Sequence, residues 1–108
     1  MRTIVIALCA LGTQAALADD EAAPIGQSTV AGVLESLRAD PSAQFHEQRG
    51  WTIVASREAG SPVEWFFTPE GHAAHPAVVK RTAVERDGVG LIDLAALCQA
   101  EQAACDQL

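Results

Sequence analysis

His72 and His75 stand three residues apart in the segment TPEGHAAHPA (68–77), with Glu70 two positions ahead of the first. Neutral imidazoles ligate Zn²⁺ and Cu²⁺ readily, and a spacing of three puts both rings on one side of a helical turn. With Glu70 or the distant His46 added, His72 and His75 could hold such an ion, although a closed zinc site wants four ligands. A metal-binding role is therefore one expectation. The competing one is that both histidines bond to their own loop. Covalent catalysis finds less support, because no Ser, Cys or Thr lies in a nucleophile-elbow or comparable motif. Glycosidase chemistry needs two carboxylates flanking a cleft, and the fourteen scattered acids define no such pair. The sequence thus predicts no catalytic residue, no cofactor and no enzyme.

Of the three cysteines, Cys9 falls in a segment with the pattern of an export signal. Arg2 gives a positive start, residues 3–11 are almost wholly apolar, and Ala16-Leu17-Ala18 puts small residues where a signal peptidase reads. The apolar run is about nine residues, well under the roughly 20 of a membrane-spanning helix. We therefore expect a cleaved signal peptide over 1–18 and a periplasmic or secreted protein without a membrane span. Leu8 occupies the place where a lipoprotein signal carries a small residue, which argues against a lipid anchor at Cys9. Cys98 and Cys105 then remain as one pair, and an oxidising compartment favours their disulfide. Seven residues of continuous helix would separate them by about 10 Å, whereas a disulfide needs Cα atoms about 4.4 to 6.8 Å apart. The chain must fold back between them. The spacing is not C-x-x-C and no cation flanks either thiol, so the pair reads as structural.

Taking 18 residues from 108 leaves 90, enough for one small domain. Loss of Arg2 leaves six basic residues against fourteen acidic, a net charge near −8 with histidine neutral. Such a field repels phosphate and excludes a nucleic-acid partner.

The elements that must position these residues follow from periodicity. Residues 19–27, acidic and then broken by Pro24 and Gly26, read as a disordered mature N-terminus, followed by a single domain over 28–108. Val30, Val33, Leu34 and Leu37 share one helical face, with Ser28 or Thr29 as the cap. Asp40-Pro41 resembles the start of a second short helix that buries Phe45 and ends at Gly50. Residues 51–55 and 63–67 alternate with period two around a five-residue loop, 57–61. Counting outward from that loop opposes Ala55 to Val63, Ile53 to Trp65 and Trp51 to Phe67, six apolar side chains on one core face. Asp87-Gly88 is a two-residue turn signal between 78–86 and 89–95, opposing Val84 to Leu91, Ala83 to Ile92 and Thr82 to Asp93. Leu94, Leu97, Glu101 and Leu108 have partial helical spacing. The expected fold is α+β: a four-stranded antiparallel meander packed against N-terminal helices, with a short C-terminal helix stapled by the cysteines.

The connection between the hairpins is longer than ordinary hairpin loops and lies beside aromatic residues. Alternation aims Phe66 away from Trp65 and Phe67, and it points Lys80 and Arg81 to opposite faces. Phe66, Glu70, His72, His75, Lys80 and Arg81 are accordingly the candidate contact surface of a non-enzymatic periplasmic binding module, whose partner is a protein or small ligand. The alternatives are a Cu/Zn-binding protein using His72 and His75, or an inhibitor of a secreted hydrolase.

The stretch FTPEGHAAHPAVVKR (67–81), the VERDG hairpin and the closing LCQAEQAACD (97–106) resemble small exported proteins of Gram-negative bacteria. The resemblance spans about residues 51–106 and implies a periplasmic address. It implies no activity and no catalytic residue.

Overall fold

Three two-residue turns set the architecture, each placing a non-glycine residue and then a glycine at positive φ: Arg49-Gly50 (56°, 86°), Ala59-Gly60 (51°, 85°) and Asp87-Gly88 (54°, 79°). Left-handed dihedrals at both central positions are those of the type I′ turn, whose twist matches that of paired strands. In the computed structural model, which describes residues 25–108, these turns connect β1 (Gln44–Gln48) to β2 (Trp51–Glu58), β2 to β3 (Ser61–Phe67) and β4 (Ala77–Arg86) to β5 (Val89–Cys98). All neighbours pair antiparallel, and the sheet order is β1-β2-β3-β4-β5. A helix, α1 (Val30–Arg38), precedes the sheet, and a single turn, α2 (Gln102–Cys105), follows it. The expected signal peptide, 1–18, lies outside the described residues.

The α+β class is as expected, but the meander has five strands, and one helix rather than two precedes it among the described residues. Asp40 does not start a helix. Its Oδ1 accepts from both N and Oγ of Ser42, and its carbonyl accepts from Ala43 N, a tight turn that launches β1. Phe45 then pairs with Val54 and stays 42% exposed instead of buried. The Arg49-Gly50 turn makes this possible, because it returns the chain after two residues and so recruits 44–48 as an edge strand.

The β2–β3 hairpin departs from expectation by one residue. Its loop is the two-residue Ala59-Gly60 turn, so the strands extend through Arg57, Glu58, Ser61 and Pro62, and the pairs are Thr52 with Phe67, Val54 with Trp65 and Ser56 with Val63. A slip of one residue transfers every side chain of a strand to the opposite face. Trp51, Ile53 and Ala55 therefore leave the core face that Val63, Trp65 and Phe67 occupy. The Asp87-Gly88 hairpin has the expected register, Val84 with Leu91, Ala83 with Ile92 and Thr82 with Asp93.

Helix α1 covers the face carrying Val54, Val63, Trp65, Phe67 and Val78, and it contributes Val30, Val33 and Leu37 to one apolar cluster. Thr29 is its cap, accepting from Gly32 N through Oγ1. Ile25 packs against the same cluster, and Gln27 donates to Ser36 Oγ, so residues 25–27 are tied to the fold ahead of the helix. Trp65 is 5% exposed, and its indole N–H donates to Ser56 Oγ at 3.1 Å, which satisfies the one buried polar atom of the ring. Lys80 shares this face; its Nζ sits 5.0 Å from the Trp65 ring centre and 2.9 Å from Glu58 Oε1.

The C-terminus also departs from the expected pattern. Leu94 and Leu97 belong to β5, which runs to Cys98, and only 102–105 are helical. The chain folds back after β5, and Cys98 and Cys105 form the expected disulfide with Cα atoms 5.8 Å apart.

Candidate functional site

The opposite face of the sheet is not covered by α1, and only at its β4–β5 end does the single turn α2 approach it, with Cys105 and Leu108 beside Val79. Strand alternation puts Trp51 and Ile53 of β2, Phe66 of β3, and Val79 and Arg81 of β4 there, through the pairs Ile53 with Phe66 and Phe66 with Val79. Gln48, Arg49 and the terminal Leu108 complete a shallow depression of about 510 Å³. Trp51, Ile53, Phe66 and Val79 are each half-buried. The floor of the depression is apolar, on an element that could have carried polar residues at no cost to the fold.

Two polar features frame it. The Arg81 guanidinium lies 6.0 Å from the Phe66 ring centre and 3.2 Å from Glu64 Oε1, stacked and paired at once. Arg49, at positive φ in the β1–β2 turn, stands at the other rim and has no ion pair among the described residues.

The long connection from β3 to β4 folds back onto this rim. Thr68 closes its base: Thr68 N donates to Ala77 O, and Ala77 N donates to Thr68 Oγ1, each at 3.1 Å. Two further turns follow, His72 N to Pro69 O and His75 N to His72 O. The His75-Pro76 peptide is cis. Pro69 lies against Gly50, where a Cβ would meet the proline Cβ at 3.1 Å on a backbone at φ +86°, so both the contact and the dihedral favour glycine. This contact brings His72 edge-on to Trp51, with ring centres 5.4 Å apart and planes at 76°.

The six candidate contact residues thus divide. Phe66 and Arg81 lie on the open face and touch each other, and His72 joins them through Trp51. Glu70 is exposed in the loop. Lys80 is turned to the helix-covered face, with 12% of its side chain exposed, and is no part of the surface. His75 is half-buried, its Nδ1 2.8 Å from Thr68 Oγ1. The sequence reading missed Trp51, Ile53 and Arg49, which the assumed register and the assumed helix had placed elsewhere.

For metal chemistry the geometry offers little. His72 Nδ1 accepts from Ala74 N at 3.0 Å, so the lone pair of that nitrogen is already engaged within the loop. Among the described residues no three His, Cys, Asp or Glu side chains converge on a point. Also among them, no helix is long and apolar enough to cross a membrane. The chain matches no protein-family model, no curated protein and no solved structure.

Proposed function

We propose that this chain is a non-enzymatic binding module of the periplasm, and that its contact surface is the open sheet face centred on Phe66. The observation that supports it is the half-buried group of Trp51, Ile53, Phe66 and Val79 on the face opposite α1, edged by Arg49 and Arg81. The apolar floor favours a partner that brings aliphatic or aromatic groups, and the two guanidinium groups favour one that also carries a carboxylate or sulfonate. The loop histidine His72 holds the Trp51 ring in place from the rim. The periplasmic address rests on the N-terminal export pattern and agrees with the disulfide.

Titration with the aromatic sulfonate anilinonaphthalene sulfonate tests the surface directly. Binding should quench Trp51 emission in the wild type and be lost in Phe66→Ala, while Lys80→Ala binds normally. A second arm passes envelope extract over immobilised wild type and Phe66→Ala. Equal probe binding by wild type and Phe66→Ala, together with identical captured proteins, would remove this face from consideration.

A further inference from the structure

Strand β5 ends the sheet, and among the described residues nothing pairs with its outer edge. We propose that this edge is a self-association surface, on which a second copy of the chain adds its own β5 antiparallel across a twofold axis at Leu94. The edge adjoins the depression around Phe66 through the Arg81–Leu94 pair, but the proposal does not depend on what binds there.

Edge strands of monomeric proteins are ordinarily shielded by lysine, proline, a bulge or shortness. The opposite edge, β1, follows that rule with five residues, QFHEQ, of which four are polar. β5 has none of these protections. It is ten residues long, contains neither lysine nor proline, and pairs with β4 without a break. Val89, Leu91, Ile92 and Leu94 are 56%, 40%, 51% and 67% exposed, and they alternate between the two faces, so both sides of the edge are apolar. Its one charged residue, Asp93, is neutralised within the chain by Arg86 at 2.8 Å.

Charge distribution points to a second copy as the occupant. Residues 77–98 contain three cations, Lys80, Arg81 and Arg86, and three anions, Glu85, Asp87 and Asp93. The full net charge of −7 therefore lies outside this ribbon. Two copies of an acidic protein meet with least repulsion through the neutral part of each, and the ribbon is that part.

The backbone fixes the available registers. A type I′ turn makes its flanking pair, Arg86 with Val89, a hydrogen-bonded pair, so alternation directs the N–H and C=O of Gly90, Ile92, Leu94 and Ala96 outward. A twofold at Asp93 would oppose two carboxylates. A twofold at Leu94 avoids this, opposing Asp93 to Ala95 of the other copy and Leu91 to Leu97, with the outward amides of Ile92, Leu94 and Ala96 in register. The interface is isologous and closed, so association stops at two.

Sedimentation of the purified disulfide-bonded chain is the test. The wild type should be dimeric at roughly 0.5 mM, within the range of weak specific association. Leu94→Lys and Leu94→Glu, at an exposed site, should each keep the wild-type circular dichroism and melting curve and weaken the dimer on the order of 100-fold. Mixing the two variants should restore it, because the axis sets residue 94 of one copy against residue 94 of the other. A monomeric wild type at that concentration overturns the proposal, as do folded single variants that remain dimeric or a mixture that fails to reassociate.

Discussion

The backbone amide of Val30 donates to Oε1 of Gln99 at 2.8 Å, joining the first residue of α1 to a side chain 69 positions later. The amide of Gln99 in turn donates to Pro76 O at 2.9 Å, so one residue ties the helix start, the β3–β4 connection and the end of β5. First-turn amides of a helix have no partner within it, and Gln99 satisfies one that Thr29 does not reach. Gln99→Ala should lower unfolding free energy by about 1 kcal/mol, measured by urea denaturation. Gln99→Glu retains the acceptor and should lie closer to the wild type. Equal loss in both variants would deny the cap.

Cys98 closes its disulfide just before Gln99 and so anchors the residue that caps the helix. On the chain-entropy account, a loop this short is stabilised by about 2 to 3 kcal/mol relative to the open chain. Cys98→Ser with Cys105→Ser should lose that amount by urea melting, and intact-mass analysis of the native wild type should find no free thiol at either position.

The two tryptophans should behave oppositely. Trp65 is 5% exposed and bonded to Ser56, so Trp65→Ala should cost about 3 to 5 kcal/mol or abolish folding. Trp51 lies on the open face, and Trp51→Ala should cost less than about 1.5 kcal/mol. Acrylamide quenching of the wild type should separate a shielded emitter from an accessible one. Equal sensitivity of the two sites would restore the register in which both rings share the core.

Ala59 is at φ 51° in the turn between β2 and β3, a conformation that costs alanine more than asparagine. Ala59→Asn should therefore raise stability by about 0.5 to 1 kcal/mol in thermal or urea melts. The same substitution would be neutral or unfavourable in an open five-residue loop.

That turn is also where the sequence was hardest to read. Asp87-Gly88 carries its turn type in its residues, and the β4–β5 register could be counted from it pair by pair. Ala-Gly carries a weaker signal, because alanine rarely takes positive φ, so a longer loop is the natural expectation and the count shifts by one. The polar run QFHEQ lacks the β-branched residues that announce a strand, and Asp40-Pro41 imitates a helix start although Ser42 captures the Asp40 carboxylate. At the site, alternation alone was enough to aim Phe66 away from the core and to separate Lys80 from Arg81. The edge-on contact of His72 with Trp51 depends on Pro69 settling against Gly50, a tertiary approach that no spacing encodes.

Because the helix start waits for an acceptor near the far end of the chain, the molecule has a defined order of completion. The three hairpins can each close on local pairing, and Thr29 caps α1 from its own side, but the Val30 amide gains its acceptor only once residue 99 is in place. A chain stopped short of β5 would expose the β4 edge and leave the Val30 amide without its acceptor, a form that proteases are well placed to remove.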